Sequence, residues 1–243
     1  MTQPSGRTSE SKAEGLVGVD EARAALRRGQ AVVLPNPAPL TCVVAATDAQ
    51  GVNRAKGRPE GQAVALWAHD PGTFAALEDV LDLDEALRAV AQRLLTEQRV
   101  TLLVPLRNGA SGPDWLAPAA RESWAMLFGT RWPPLLPVLE DHSLEDHSVL
   151  YVSSANRTGS APAATAAQAR AMFPHSVAVL PADRLPGAEL ETGSDPTPRA
   201  ATTTLRLYPD ARVTVHRRGA QDAAFTDPDA YLDHIRASFL ELK

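Results

Sequence analysis

Short apolar runs, separated by polar segments rich in turn residues, recur along most of the chain. Most of them stop at a proline or at a polar residue, as is typical of strands buried in a sheet. The predicted strands of this kind are residues 31–35, 41–48, 63–69, 101–106, 149–154 and 176–181. Two further β-rich runs, 201–209 and 211–219, flank a proline-containing turn and predict a hairpin.

Amphipathic segments between these strands predict helices, and most of them begin at a residue that can cap a helix. They are residues 17–28 with Asp20 as the cap, the segment after Asp70-Pro71, residues 84–98, the segment from Thr165 to about Phe173, and residues 227–243. Residues 133–140 stay ambiguous, because their prolines restrict them to an edge strand or an irregular segment.

Strands and helices are interleaved without an internal repeat or a central linker. This order predicts a single α/β domain built on a mixed sheet. Residues 1–15 are polar and small, so we expect a disordered N-terminal tail.

Composition narrows the classes of function. The formal charge of −5 argues against a surface coated with positive charge for duplex nucleic acid, although a local basic cleft remains possible. Cys42 is the single cysteine, which excludes a disulfide within the chain and a thiolate metal cage. No apolar run has the length of a transmembrane helix, and the N-terminus lacks the apolar centre of a signal peptide. We therefore expect a cytoplasmic protein with no membrane partner.

The first motif that could carry chemistry is Lys56-Gly57-Arg58-Pro59. We expect an extended segment here, in which Lys56 and Arg58 share one face, because alternate residues of a strand do so. An ammonium and a guanidinium together suit phosphate oxygens. The alternative is a solvated turn with ordinary surface charges.

A second motif, Ser153-Ser154-Ala155-Asn156-Arg157-Thr158-Gly159, follows the predicted strand 149–154. Hydroxyl and amide groups at the end of a strand can form a hydrogen-bonding rim for a ligand. A turn that only reverses the chain is the alternative.

Two weaker features occur near the C-terminus and in an acidic segment. Thr202-Thr203-Thr204 is followed by Arg217-Arg218-Gly219, which could equally be β-propensity and a solvated strand end. Residues 140–148 contain two histidines and four carboxylates, but the spacing favours an acidic loop over a metal site.

In their order along the chain, these motifs resemble the YrdC-like family over roughly residues 16–220, leaving 221–243 as a helical extension. The stretch SSANRTGSAPA is similar to the family's S-A-N-x-[ST]-G signature, and KGRP, TTTLRL and HRRGA are similar to three further family motifs. The resemblance implies a twisted open sheet with a concave, basic cavity on one face. It also implies that ATP and Mg²⁺ bind there.

The resemblance further implies a role for each matching residue. The residues that it assigns to the nucleotide are Lys56, Arg58, Thr101, Ser154, Asn156, Thr203 and Arg217. Lys56 and Arg58 would be catalytic, because they would hold the oxygens of ATP and of the leaving pyrophosphate. Thr202 takes the position of a family serine.

One segment departs from the family pattern. Where the family reads P-T-D-T-x-Y-G-L after the first strand, this chain has Pro35-Asn36-Pro37-Ala38-Pro39-Leu40-Thr41. Asn36 is the polar group that remains at the altered positions, and we assign it to substrate binding.

Three hypotheses about function follow. The first is a threonylcarbamoyl-AMP synthase-like nucleotidyltransferase, which would use ATP, bicarbonate and an amino acid to make a precursor for tRNA modification. The second is a non-catalytic relative that binds a nucleotide or RNA, double-stranded RNA included, in the cavity. The third is a domain whose cavity is vestigial.

Overall fold

The computed structural model describes residues 15–110, 112–142, 148–188 and 198–240 of the 243-residue chain. Its strands are β1 (Val32–Leu34), β2 (Val43–Ala46), β3 (Ala65–Trp67), β4 (Thr101–Pro105), β5 (Ala120–Arg121), β6 (Trp124–Phe128), β7 (Tyr151–Ser154), β8 (Ala178–Val179), β9 (Thr204–Leu207) and β10 (Val213–Arg217). They form one sheet in the order β10-β9-β4-β6-β3-β7-β2-β1-β8, and β5 pairs with β6 outside this path.

The sheet is mixed. Three strand pairs are parallel, namely β1 with β8, β3 with β6, and β4 with β9, and the other pairs are antiparallel. The predicted class, a single α/β domain with a twisted, mixed open sheet, is therefore confirmed. The proposed limits of the tail and the extension stay predictions, and residues 1–14 and 241–243 lie outside the described part of the chain.

Helices connect the strands. They are α1 (Val19–Arg27), α2 (Ala49–Lys56), α3 (Pro71–Ala75), α4 (Glu85–Thr96), α5 (Leu136–Leu139), α6 (Ala166–Met172) and α7 (Pro228–Ile235). A π-helical turn, Arg236–Leu240, continues α7, and 3-10 turns occur at Asp114–Ala119, Pro133–Leu135 and Ala182–Arg184. No helix in the described ranges combines the length and the apolar character that crossing a bilayer requires.

Each face of the sheet has its own hydrophobic core. On one face, Leu102 and Leu205 pack with α4 and α7, whose buried members include Leu94 and Ile235. The opposite face carries a smaller core in which Leu34 meets side chains of α1 and α5. Because successive strand residues point to opposite faces, these short, fully apolar strands supply both cores.

The strand register determines which chain ends meet. Leu34 pairs with Val43, and Val43 pairs with Ser154. The end of β1, the start of β2 and the end of β7 therefore lie side by side. Elsewhere in the sheet, Thr101 at the start of β4 pairs with Thr204, and Thr204 pairs with Arg217. Two groups of polar side chains are therefore fixed on rigid strand ends.

Most of the predicted elements are confirmed. Asp70, Asp84, Thr165 and Asp227 each cap a helix by accepting a hydrogen bond from a backbone N–H. The hairpin of β9 and β10 also forms as expected. The ambiguous segment 133–140 is a 3-10 turn followed by α5.

Three details differ from the predictions. Asp20 does not cap α1: the N-cap is Gly18, whose N–H donates to the Glu21 side chain at 2.8 Å. The helix α2 was not predicted, although Asp48 caps it. The strand β6 was not predicted either, and it lies between β4 and β3 near the centre of the sheet.

Candidate functional site

A cavity of about 230 Å³ opens on the face of the sheet that carries the smaller core. Val43, Ala65, Phe128 and Val152 belong both to that core and to the cavity wall. The polar residues that line the cavity are Asn36, Thr41, Arg58, Gln62, Thr101, Ser153, Ser154, Thr202 and Arg217. Two of these are cations and none is a carboxylate, so the part of the cavity lining that the structure describes is positively charged.

Two arginines supply the charge of the cavity. Gly57 ends α2 in the left-handed region, at a φ of 66°, and this turn directs the chain to Arg58. Arg217 lies at the end of β10 and donates to the carbonyl of Thr202 at 3.4 Å. Neither arginine forms an ion pair with a carboxylate of the described residues. Both are therefore available to an anion.

Burial and mutual repulsion act on these cations. Burial lowers the pKa of Arg58, and the charge of Arg217 lowers it further. Burial also lowers the pKa of Arg217. An anion that enters the cavity would relieve this unfavourable concentration of positive charge.

Lys56 lies behind the cavity wall. It is fully buried, and its ammonium donates to the Ser154 carbonyl and, at 2.8 Å, to Oδ1 of Asn156. Burial, with the charges of Arg58 and Arg217, lowers the pKa of Lys56 to about 7. The prediction that Lys56 and Arg58 share one face of an extended segment is wrong, because Lys56 is the last residue of α2.

The second motif forms a small network around Lys56. The Ser154 hydroxyl donates to Oδ1 of Asn156 at 2.7 Å, so this one oxygen accepts from both Ser154 and Lys56. Nδ2 of Asn156 donates to the carbonyls of Arg157 and Ser160, which holds the turn that follows β7. Ser154 borders the cavity, whereas Asn156 lies outside its lining.

The threonines of residues 202–204 likewise include both a residue that lines the cavity and a residue that lies behind the lining. Thr101 and Thr202 both line the cavity, and their hydroxyl oxygens are 2.6 Å apart. Thr203 is fully buried behind them, where its hydroxyl donates to Asp222 at 2.6 Å. Asn36, Arg58, Thr101, Ser154 and Arg217 thus border one cavity, and Lys56, Asn156 and Thr203 support it from behind.

Asp222 is a residue of this site that was not predicted. Its buried carboxylate accepts from Thr203 Oγ1, Gly219 N and Arg218 Nε, each at 2.6 Å. Burial raises the pKa of Asp222, but these hydrogen bonds outweigh burial, so the pKa lies below its usual value. A carboxylate three residues after Gly219 has the spacing at which, in a capping box, the later side chain accepts from the earlier backbone N–H.

Gly219 explains why the chain after β10 can approach the Thr-rich segment. A Cβ atom at this position would lie 2.3 Å from the backbone nitrogen of Thr203. Only glycine permits that approach, and the backbone contact holds the end of β10, with Arg217, against Thr202 and Thr203.

The described residues of the acidic segment, 140–142 and 148, are not part of the cavity lining. Asp141 accepts from Arg23 and Arg27, and Nε2 of His69 is 2.6 Å from the carbonyl of His142. His147 lies outside the described residues. In the described ranges, no cluster of three histidine, cysteine or carboxylate side chains could hold a metal ion.

Known proteins resemble this chain in structure. No protein-family model and no curated protein matches the sequence. P. abyssi Sua5 complexed with L-threonine is 18% identical, with a TM-score of 0.54, and the match covers 83% of this chain and 54% of that one. This chain therefore spans about half the length of that protein.

Two other solved structures are similar. E. coli YciO is 16% identical at a TM-score of 0.54, covering 85% of this chain and 91% of that one. Full-length HypF in its phosphate- and nucleotide-bound form is 15% identical at a TM-score of 0.59, covering 85% and 26%. These likenesses, together with the mixed sheet and the cavity on its face, identify the architecture of this chain as the YrdC-like fold.

Proposed function

We propose that the cavity binds the phosphates of ATP and that the protein is a nucleotidyltransferase, which joins the adenylate to a carbamate made from a small amine substrate. The observation that carries this proposal is the convergence of Arg58 and Arg217 on a cavity whose described lining has no carboxylate, in front of the buried Lys56. Guanidinium groups bind phosphate oxygens through paired hydrogen bonds, and such charge-assisted bonds are worth about 1.5–3 kcal/mol each.

The chemistry needs orientation and charge neutralisation more than a protein nucleophile. The amine nitrogen of the second substrate attacks bicarbonate, which yields a carbamate and water. A carbamate oxygen then attacks the α-phosphorus of ATP, forming a P–O bond while the bond to the β-phosphate oxygen breaks and pyrophosphate leaves. Arg58 and Arg217 would stabilise the charge on the leaving pyrophosphate, and one such fixed donor typically contributes about 10²–10³ in rate.

The hydroxyl groups of the cavity fit the nucleotide. The Ser154 hydroxyl, which donates to Asn156, can accept from a ribose hydroxyl, and the Thr101–Thr202 pair has one proton left to donate to a phosphate or ribose oxygen. Thr101 and Ser154 belong to β4 and β7 and are fixed within a hydrogen-bonded sheet, so they need little reorganisation when ATP binds. HypF, whose structure holds phosphate and nucleotide, has the same fold in part of its chain, which supports a nucleotide ligand here.

Mg²⁺ was expected with ATP. Among the described residues that line the cavity there is no carboxylate, so these residues do not build a dedicated Mg²⁺ site. We therefore propose that any Mg²⁺ arrives bound to the triphosphate, and no step of the reaction is assigned to it.

The second substrate is the open part of the proposal. Sua5 was crystallised with L-threonine, which supports an amino-acid-like substrate. The stretch from Asn36 to Leu40 lacks the threonine residues of the family pattern, and this difference favours a substrate other than threonine, or a non-catalytic role in binding a nucleotide or RNA.

A thermal shift series with ATP and Mg²⁺ tests the binding step. ATP at about a hundred times its dissociation constant should add roughly 2.7 kcal/mol of stability. Arg58→Ala and Arg217→Ala should each weaken binding at least tenfold, whereas Arg121→Ala, which removes an exposed arginine outside the cavity lining, should not. The absence of any shift with ATP would refute the proposal.

Pyrophosphate release tests catalysis. The purified chain with ATP, Mg²⁺, bicarbonate and a panel of L-amino acids should release pyrophosphate with at least one of them. Binding of ATP without release would favour the non-catalytic alternative, and binding of RNA that weakens steeply with salt would specify RNA as its ligand.

A further inference from the structure

The face of the sheet that holds the cavity continues beyond it, over β4, β6 and β9. Leu103 of β4 pairs with Met126 on one side and with Arg206 on the other, and the side chains of paired residues lie on one face. Met126 lines the cavity, so Arg206 belongs to the same face. Arg206 is half-buried and lies outside the cavity lining, and the exposed Arg212 follows it at the turn between β9 and β10. Arg206 therefore adds a cation to this face beside the cavity.

Arg206 and Arg212 are each held on an aromatic ring. The guanidinium carbon of Arg206 lies 4.6 Å from the centroid of the Trp124 ring, and that of Arg212 lies 3.5 Å from the centroid of Tyr208. The two rings meet edge to face, with their centroids 5.2 Å apart. A guanidinium stacked in this way keeps the N–H groups at its edge for an anion, and it loses little freedom when the anion binds. The two cations are therefore positioned in advance.

Two hydroxyl groups lie among these cations. Hydrogen bonding with Arg206 lowers the pKa of Tyr208, and Thr214 and Arg212 act in the same direction. An arginine can only donate, so the Tyr208 oxygen accepts from it and keeps its own proton for another acceptor. Arg206 forms no ion pair with a carboxylate of the described residues, and Arg212 forms a wide one, at 3.8 Å, with Asp210. Carboxylates in the described ranges thus neutralise little of this charge.

His216 connects this group to the cavity. It is exposed on β10, and burial followed by the charges of Arg206 and Arg217 lowers its pKa. Both arginines are therefore close to His216, and Arg217 belongs to the cavity lining. Basic side chains follow one another from the cavity to the hairpin, and an anion among them would relieve their mutual repulsion.

The donors of this group suit a phosphate better than a carboxylate. Two guanidinium groups, two hydroxyls and an imidazole are available outside the cavity. A terminal phosphate offers three strong acceptor oxygens, whereas a carboxylate offers two oxygens in one plane. Arginine also binds phosphate oxygens through paired N–H groups.

We propose that Arg206, Arg212 and His216 form a phosphate-binding subsite outside the cavity, assisted by the hydroxyls of Tyr208 and Thr214. Two sources of the phosphate fit, because the row of basic side chains begins at the cavity: the terminal phosphate of ATP, and a phosphate group on the second substrate. The subsite itself is independent of the proposed function, whereas the assignment of the source rests on it.

Inorganic phosphate tests the subsite without any nucleotide. In the full chain labelled with ¹⁵N, the indole N–H signal of Trp124 should shift on titration with phosphate, because Arg206 lies on that ring. The signal of Trp115, which packs against the core on the opposite face, should stay in place. Sodium chloride at equal ionic strength should move neither signal. A Trp124 signal that phosphate leaves unmoved, or that chloride moves equally, would overturn the inference.

Variants assign the effect to the subsite. Arg206→Met keeps a side chain over Trp124 but removes the charge, so it should weaken phosphate binding roughly tenfold or more. Arg212→Met, at an exposed position, should weaken it in the same direction and serves if the first variant does not fold. Arg93→Met is the matched control, because Arg93 stacks on Phe239 at 4.8 Å on the opposite face of the sheet. Wild-type phosphate affinity in folded Arg206→Met, or in folded Arg212→Met when the first does not fold, would contradict the proposal.

Calorimetry distinguishes the two sources. If the terminal phosphate of ATP occupies the subsite, wild type should prefer ATP to ADP about tenfold or more, and Arg206→Met should lose this preference. If the second substrate supplies the phosphate, O-phospho-L-serine or phosphoethanolamine should bind the ATP-saturated protein more tightly than L-serine or ethanolamine, again only with Arg206 present. The absence of both preferences from a wild-type protein that binds ATP would overturn the inference. Failure to bind ATP, with the Trp124 shift retained, would refute the proposed function and leave the subsite in place.

Discussion

Lys56 and Asn156 are 100 positions apart in the chain, yet the ammonium of Lys56 donates to Oδ1 of Asn156 at 2.8 Å. This bond joins the end of α2 to the turn after β7, and so it joins the two motifs that the sequence singled out. Both partners lie behind the cavity and outside its lining. Under the proposed function, Lys56 would therefore act on a bound ligand mainly through its charge and through the position of Ser154.

Binding of ATP should be accompanied by proton uptake. The pKa of Lys56 is lowered to about 7, chiefly by burial and then by Arg58 and Arg217. A bound triphosphate would neutralise the two arginines and raise this pKa, so Lys56, which is about half protonated at pH 7, would take up part of a proton. Calorimetric titrations in buffers of different ionisation enthalpy measure the uptake. Lys56→Met should abolish it, and uptake that persists in that variant would rule out Lys56 as its source.

The stability of the unliganded protein should rise between pH 7 and pH 9. The folded-state pKa of Lys56 lies below the usual lysine pKa of 10.5, so between the two pKa values the unfolded chain binds a proton that the folded chain does not. The free energy of unfolding therefore increases with pH across this window, and this group has no further effect below about pH 7. Urea denaturation at pH 7 and pH 9 measures the change. The rise should be smaller in Lys56→Met, and an equal rise in both proteins would contradict the pKa shift.

Asp222→Ala should destabilise the protein by about 3 kcal/mol or more. The substitution leaves the Thr203 hydroxyl, the Gly219 N–H and the Arg218 guanidinium without their shared acceptor. Binding of ATP should also weaken, because the turn that holds Arg217 loses its anchor. Chemical denaturation measures the loss, and Asp210→Ala on an exposed turn is the control.

The contribution of Asp222 should depend on pH in a defined direction. Its pKa is lowered in the folded protein, so its stabilising effect is complete above the usual aspartate pKa of 3.8 and disappears as pH falls through the lower, folded-state pKa. The difference in unfolding free energy between wild type and Asp222→Asn should therefore shrink in strong acid. A difference that is constant from pH 7 to pH 2 would show that the carboxylate charge is not involved.

Gly219→Ala should be among the most damaging single-methyl changes in the chain. Its Cβ would lie 2.3 Å from the Thr203 nitrogen and 2.4 Å from the Ala201 carbonyl oxygen, and backbone cannot move aside as a flexible side chain can. We expect a loss of about 2–4 kcal/mol and weaker ATP binding. Gly61→Ala is the matched control, because no atom lies within 4 Å of its Cβ position. A melting temperature for Gly219→Ala equal to that of Gly61→Ala would disprove the close contact.

Local signals predicted most elements correctly where capping and periodicity agreed. Asp84 precedes an apolar repeat of period 3.6, and α4 forms there. The pattern failed at α2, because that helix is short and follows β2 almost directly: Asp48, read as the end of a strand, is its N-cap. The strand β6 was not predicted, because its five residues are held extended by pairing with distant strands. They pair with β4 on one side and with β3 and β5 on the other.

The order of KGRP, SSANRTG, the threonine run and HRRGA was enough to indicate the YrdC-like fold and a basic cavity, because these motifs follow one another as in that family. The sequence alone could not divide these residues into a lining and a supporting layer. That division depends on the end of α2, which buries Lys56 and turns Arg58 toward the cavity, and on the sheet register, which brings strand ends together from distant parts of the chain. The same holds for Asp222 and for the stacking of Arg206 on Trp124, since a contact made across the fold is a property of packing and leaves no local pattern.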